Sequence, residues 1–318
     1  NTNKDATEGL SSLTMGTNDV TLYAIYKKEI TLTFIDYNGT EKTTRTESNT
    51  AYNKNTSVEI TAPTINAYTG WTERYWTTGT GATSSQTVAS GGSITSTGNS
   101  TYYARYYQSI SVKFDLNGGT GVAPQAVTGN RETNSYAIST VTNPEITMPT
   151  TTATKTGYTF GGWNANAAGT GTNYTVGQKY TSFTASTTVY AKWTANTYTV
   201  TYDGNGATGG STASSTHTYG VEKALTANGY TREYTVTYNY NGNGTANTTA
   251  KATYTFKNWN DKADGSGTSY TDKQKVKNLT NKVGDVITLY AQWNSSSITL
   301  PTPTREGYTF AGWYDAAT

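Results

Sequence analysis

The chain has 318 residues, a formal net charge of +2 and only 14% charged residues, with Lys and Arg scattered along it; this excludes the basic footprint of a nucleic-acid or membrane-surface binder. It has no cysteine, which excludes disulfides, thiolate metal sites and a cysteine nucleophile, and no apolar run of the ~18 residues that a membrane-spanning helix needs. Hydrophobic residues make up 34%, below the ~45% usual in globular domains, and Tyr and Thr, which suit pleated, half-buried strands, fill the deficit.

Residues 1–26 end in LYAIY (22–26) and read as the back half of a unit. TEGLSSL (7–13) is a weak helix candidate there. ITLTFIDYNGT (30–40) alternates and runs into an Asn-Gly turn, the mark of a strand opening a hairpin. Tyr68, Trp71, Tyr75 and Trp76 then compete for one aromatic-to-Trp spacing of five, and YYARY follows at 102–106. ISVKFDLNGGT (110–120) opens again, with Ile110, Val112 and Phe114 on one face. In GYTFGGW (157–163), Tyr158 and Phe160 share a face and Trp163 falls out of phase. The Gly161-Gly162 pair can supply the bend or bulge that re-aims it. VYAKW (189–193) puts Val189, Ala191 and Trp193 on one face.

YTVTYDGNGAT (198–208) opens a third unit, and its strand recurs as YTVTYNYNGNG (234–244). ANGYT (227–231) breaks off where a TFxxW phrase is expected, so this unit holds a duplication or an insertion. TYTFKNW (253–259) and LYAQW (289–293) complete it. YTDKQKVKNLT (270–280) is the best helix candidate, with Val276 and Leu279 on one side. GYTFAGW (307–313) has no opening strand beside it in sequence and could need a donor strand.

The closing aromatics Tyr26, Tyr106, Trp193 and Trp293 stand 80, 87 and 100 residues apart. That period exceeds the ~20–50 residues of solenoid coils and propeller blades and suits a small independent domain. The expected organisation is a C-terminal half-module at 1–26, modules at 27–107, 108–193 and 194–294, and the N-terminal part of a further module at 295–318. The two ends together make up one module. They are the trimmed ends of a longer tandem array, or halves that complete each other head to tail between chains. No signal peptide is visible at Asn1, and Leu300-Pro301-Thr302-Pro303-Thr304 fails as a sortase signal, so secretion signal and anchor are expected outside this segment.

FDLNGGTG (114–121), TKTGYTFGGW (154–163) and TTVYAKWTAN (187–196) resemble, in order, the blocks of the Listeria–Bacteroides repeat family, the B-repeat-like modules of internalin B and other bacterial surface proteins. The resemblance implies a β-rich α+β class. Small β-grasp (ubiquitin-like) modules, each a mixed sheet with one short helix, would stand in tandem as an elongated array. It also implies an extracellular, cell-surface setting and a role as stalk, spacer, filament or adhesin.

The signature residues are Phe114, Tyr158, Phe160, Trp163, Tyr190, Trp193, Tyr254, Phe256, Trp259, Tyr290, Trp293, Tyr308, Phe310 and Trp313. They read as core, because large rings are the natural core of a Leu-poor chain; the competing reading is a stacking platform for sugars. NDKADGSG (260–267) carries Asp261 and Asp264 near two glycines, but Thr271 stands where an EF-hand needs Glu, so it reads as a hairpin turn. GNGATGG (204–210) lacks the Lys and helix of a phosphate loop. His217, the one histidine, has no Ser or Asp partner patterned around it. Lys192 or Lys113 with Asn117 could form an isopeptide bond. No catalytic, metal or cofactor site is expected, and the chain reads as not an enzyme. The expected partners are other copies of itself, glycans or a host receptor; nucleic acid and membrane insertion by this segment are not expected.

Overall fold

The computed structural model describes residues 10–24, 26–36, 41–50, 57–78, 87–133, 141–242 and 246–315. The chain falls into two compact units. One takes Asn1–Asn117, Val122–Thr152 and Gly162–Ala191; the other takes Gly118–Gly121, Ala153–Gly161 and Lys192–Thr318.

In chain order the first fourteen strands are β1 (Tyr26–Ile35), β2 (Glu41–Thr50), β3 (Val58–Thr61), β4 (Thr72–Thr77), β5 (Thr87–Val88), β6 (Ser93–Ser96), β7 (Ser100–Asp115), β8 (Val127–Thr133), β9 (Val141–Thr142), β10 (Ile146–Thr147), β11 (Tyr158–Asn164), β12 (Asn173–Tyr174), β13 (Lys179–Tyr180) and β14 (Thr187–Ala195). A ten-stranded sheet runs β12-β11-β14-β7-β1-β2, with β4, β5, β8 and β9 attached. It consists of two sets of strands that share β7. In the first, β1 pairs antiparallel with β2 and parallel with the start of β7, Phe34 opposite Tyr102. β4 pairs antiparallel with β7, Trp76 opposite Ala104, and β5 pairs with β4. The second set repeats the pattern: β7 pairs antiparallel with β8 and parallel with β14, Phe114 opposite Val189. β11 follows β14, and β12 follows β11. Naming the strands of a set opening, second, middle, fourth and closing in chain order, the order across the sheet is second, opening, closing, middle, fourth.

YYARY and ISVKF are thus halves of one strand, closing one set and opening the next. Tyr102, Ala104, Tyr106, Ile110, Val112 and Phe114 are all buried along β7, an alternation that keeps one face inward throughout. The first core joins Tyr102, Ala104 and Tyr106 to Ile30, Leu32, Phe34, Ile60 and Trp76. The rival aromatics of the first set are also resolved. Trp76 is fully buried, and Trp71, five residues before it, forms a bridge with Tyr68 as Tyr158 does with Lys155.

The second unit continues with β15 (Thr197–Asp203), β16 (Gly209–Gly210), β17 (Ser215–Thr218), β18 (Lys223–Ala224), β19 (Tyr230–Tyr238), β20 (Thr248–Asn260), β21 (Ser269–Tyr270), β22 (Lys275–Val276) and β23 (Val286–Asn294). Strands β17, β15, β23, β20 and β21 repeat the same order, with β15 parallel to β23 and Tyr202 opposite Leu289. β20 has two roles. Its C-terminal half is the middle strand, Trp259 opposite Ala291. Its N-terminal half forms a hairpin with β19, from Arg232 opposite Tyr254 to Tyr238 opposite Thr248. The repeated YTVTY phrase is therefore a second opening strand, set in a hairpin that extends the middle strand.

Each set also carries a two-stranded ribbon: β3–β6, β10–β13 and β18–β22. Ile60, Ile94, Ile146 and Val276 bury their side chains from these ribbons, and Leu225 does so one residue after β18. The expected helix is absent among the described residues, so the fold is all-β and not α+β. Residues 270–280 form the end of β21, a turn and β22. Lys273 and Asn278 lie at φ 57° and 56°, left-handed conformations that an α-helix of L-residues does not hold. Of 7–13, only 10–13 lie within the described residues, and they hold no helix.

The bend expected before the middle-strand Trp takes the form of a register slip. It falls between Glu73 and Tyr75 in β4 and between Phe256 and Asn258 in β20. One extra residue reverses the alternation of side chains. Phe256 and Trp259 therefore both pack on the third core, although three residues separate them. Glycine is used at this corner in β11, where Gly162 sits at φ 106° with the Tyr174 carbonyl 2.8 Å from where a Cβ would stand.

Candidate functional site

The recurrent chemistry of the chain is a ring pair. The last aromatic of each opening strand meets the Trp of the middle strand: Phe34 and Trp76 with centroids 5.1 Å apart, Phe114 and Trp163 at 4.8 Å, Tyr202 and Trp259 at 4.7 Å. Tyr238 of β19 and Trp313 repeat it at 5.3 Å. Edge and tilted contacts of this kind add to what burial of the rings provides. Trp76, Trp163 and Trp313 each donate from Nε1 to a proline carbonyl, of Pro63 (2.7 Å), Pro149 (2.8 Å) and Pro301 (2.7 Å). Pro63 and Pro149 stand two residues after their ribbon strands. At the corresponding place in the third set the chain reads Leu225-Thr226, and the buried Trp259 Nε1 has no hydrogen-bond partner.

Asparagines tie the turns. Asn117 and Asn205 follow the opening strands at φ 50° and 44°, which Asn tolerates better than most residues. The Asn117 carboxamide donates to the carbonyls of Ala167 (2.8 Å) and Ala191 (3.0 Å). That of Asn205 donates to Ala263 (2.8 Å) and Ala291 (2.9 Å). Asn164 and Asn260, both fully buried, close the loops after β11 and β20. Asn260 accepts from the backbone of Lys262 and Gly267 and donates to the carbonyls of Gly265 and Gly267. Within that loop, Asp261 accepts from the Thr268 N–H and Asp264 from the Ser266 N–H. These carboxylates cap backbone groups of a turn.

Of the fourteen signature aromatics, Phe114, Trp163 and Trp259 are buried. Tyr158, Phe160, Tyr190, Trp193, Tyr254, Phe256, Tyr290, Trp293 and Trp313 are half-buried, and Tyr308 and Phe310 are exposed. Phe160 meets Trp193 at 5.6 Å and Phe256 meets Trp293 at 6.0 Å, a second ring contact shared by two sets. The residues that sequence reading missed are Pro63, Pro149 and Pro301 and the two loop asparagines. The signal was present: each proline precedes its Trp by 12 to 14 residues in a chain with only 6 prolines.

His217 is buried, stacked on Tyr198 at 5.4 Å, and its Nε2 lies 2.9 Å from Ser215 Oγ. Its Nδ1 has no partner. Burial, and secondarily the Lys223 charge, hold its pKa below the ordinary 6.5. Among the described residues no three His, Asp or Glu side chains are placed to hold a metal ion. Near the chain's end lies an open cleft of about 880 Å³ between β19 and the segment that carries Trp313.

Repeated strand sets built on one ring pair, with turn asparagines and no convergent acid–base cluster among the described residues, define a β-sheet repeat protein. Residues 111–192, 247–292 and 294–318 match the family model of the Listeria-Bacteroides repeat domain, and these stretches belong to that family. It is also similar to two proteins of Evansella cellulosilytica. One, named as a Gly-rich membrane protein, is 30% identical over 188 residues, 50% of this chain. The other, named as a membrane protein, is 28% identical over 202 residues, 62% of this chain. The matched stretches are 19% and 24% of those relatives' lengths. Among the described residues no helix is long and apolar enough to cross a membrane.

Two outcomes follow. Trp163→Phe should cost more stability than Trp259→Phe, by about 1–3 kcal/mol, because the first breaks a hydrogen bond to the half-buried Pro149 while the second removes a buried N–H that has no partner; urea titration of the two variants measures the difference, and equal losses would contradict it. Because the native pKa of His217 is depressed, the unfolded chain takes up the proton first as pH falls. Stability is therefore at its full value above the ordinary pKa of 6.5 and declines as pH drops through it toward the native value. His217→Gln should lessen the fall in urea midpoint between about pH 7.5 and about pH 5.5; an undiminished fall in the variant would show that His217 does not contribute.

Proposed function

We propose that the chain is a non-catalytic segment of a bacterial cell-surface or filament protein, in which tandem modules act as stalk or spacer and as an adhesive surface outside the cell. The modules are 27–107, 108–193 and 194–294, with 1–26 and 295–318 as parts of further ones. Their strand order of second, opening, closing, middle, fourth, with opening and closing strands parallel, is the order of a β-grasp sheet, here with a two-stranded ribbon and, among the described residues, no helix. The observation that carries the reading is that the recurrent polar and aromatic side chains tie turns and fill cores. The asparagines hold loop carbonyls, and the Trp of each middle strand is covered by its partner ring. Family membership supports the surface setting, and the names of the two relatives agree with it.

The alternative, a carbohydrate or host-receptor binder, needs exposed rings that recur at one place in each set. The well-exposed tyrosines Tyr26, Tyr234, Tyr308 and Tyr314 stand at different places. The test is antibody raised against 108–193, applied to intact and to permeabilised source cells, beside a glycan array probed with 1–318. Labelling of intact cells with a silent array is expected. Labelling only after permeabilisation would refute the surface setting, and strong array binding would favour the alternative.

A further inference from the structure

An asparagine followed by glycine is prone to lose its side-chain amide. The backbone nitrogen of the glycine attacks the carboxamide carbon, and glycine puts no side chain in the way. Ammonia leaves and a five-membered succinimide ring closes. Water then opens the ring at either carbonyl, giving Asp or a β-linked isoaspartate whose main chain is one methylene longer. Water is the one co-reactant. Two such pairs, Asn117-Gly118 and Asn205-Gly206, stand at the same place in the second and third sets, just after the opening strands.

The folded turns hold both pairs in a form that resists cyclisation. Asn117 and Asn205 lie at φ 50° and 44°, and Gly118 and Gly206 follow at φ 78° and 83°. Sterics confine an asparagine at such φ to the left-handed region, with ψ of about +47°. There the following nitrogen stands on the opposite side of the Cα–C bond from Cβ, whereas ring closure needs the two eclipsed. The N–H groups of Asn117 and Asn205 donate to Oδ1 of Asp115 and Asp203, both at 2.7 Å, which fixes the turn. The leaving group is held as well. The Asn117 carboxamide nitrogen donates to the carbonyls of Ala167 and Ala191, and that of Asn205 to those of Ala263 and Ala291. Swinging the carboxamide carbon toward the glycine nitrogen breaks both bonds. Ala191 and Ala291 belong to the closing strands β14 and β23, so the lock is complete only while the closing strand is in place.

The product does not fit this lock. A carboxamide nitrogen presents two hydrogens to two carbonyl oxygens, and a carboxylate presents none. Two carbonyls would lose their donor and face a negative charge instead. The β-linked form would also lengthen a turn whose two central residues are both committed to left-handed positions.

We propose that Asn117 and Asn205 are sites of spontaneous deamidation that the closing strand keeps silent, and that a set which stays open is marked there by conversion to aspartate or isoaspartate. The mark is one-way. A marked set closes again without the bonds from its turn to the closing strand, and so it reopens more readily. The loop after the middle strand loses its tie in the same event, because Ala167 and Ala263 lie in those loops. The proposal stands independently of any role at a cell surface.

The test is a peptide mass map of 1–318 held in warm, mildly alkaline buffer, folded and in urea. Conversion adds about 1 Da. In urea the peptides that hold Asn117 and Asn205 should convert. In the folded chain both should convert at least about tenfold more slowly, because only the opened fraction reacts. Asn117→Asp supplies the product without the chemistry and should lower the urea midpoint. Its carboxyl faces acceptors, so its pKa is higher in the folded chain than in the unfolded one. The loss is therefore full above the folded value and is relieved as pH falls through it, when the protonated carboxyl regains a hydrogen to donate. Asn117→Gly keeps the turn and brings no charge, so its loss should not vary with pH in this way. Three results would overturn the proposal. One is conversion of either asparagine as fast in the folded chain as in urea, and another is no conversion in urea. The third is an Asn117→Asp chain with the parent's urea midpoint, or with a loss that responds to pH no more than that of Asn117→Gly.

Discussion

Each set of strands depends on a crossing of three residues. The opening strand brings an aromatic ring, the middle strand brings Trp, and the closing strand passes between them carrying alanine. Strands two places apart lie about 10 Å from each other, so only large rings can meet across the strand between. They meet because that strand offers Ala104, Ala191 or Ala291 there, each with no exposed surface. A larger residue would drive the rings apart; without the rings the alanine would leave a void. The YAxW phrase and the GYTFxGW phrase are therefore two halves of one steric condition. The proline carbonyl then fixes the rotation of the indole, which burial alone would leave free.

The same crossing explains how sets are joined. A closing strand must pair on both edges, with its opening and its middle strand. Once it passes the Ala position it can run on and open the next set, as β7 does from Tyr102 to Phe114 on one inward face. Between the second and third sets the chain breaks at Asn196 instead. Within the second unit, Asn196 donates its N–H to the Gly157 carbonyl and its carboxamide to Asn281, and accepts from the Thr159 hydroxyl and the Tyr219 N–H. A continuous strand and a hydrogen-bonded asparagine are two solutions to the same connection.

What the sequence disclosed follows from range. Strand alternation and Asn-Gly turns are local, so the opening and closing phrases were legible, as was the recurrence of Trp163, Trp259 and Trp313. The need for a corner before Trp163 was legible because parity failed there. The helix at 270–280 was misread because Val276 and Leu279 mimic a helical face, while the left-handed Lys273 has no signature in residue type and Asn278, of a type that tolerates this conformation, was the one local cue. The prolines were passed over because their role appears only when a carbonyl meets an indole 12 to 14 residues later. The contact of Tyr238 with Trp313 was hidden most deeply. The two residues lie on either side of a complete middle, fourth and closing run, so no local window contains both. YTVTYNYNGNG could only look like a duplication.

The most direct measurement is a double-mutant cycle on Phe114→Leu and Trp163→Leu, followed by urea unfolding of residues 1–318. If the rings hold the set together across Ala191, the two losses are non-additive, with a coupling of about 0.5–1.5 kcal/mol. Strict additivity would show that each ring contributes only its own burial and that the crossing is not the organising interaction.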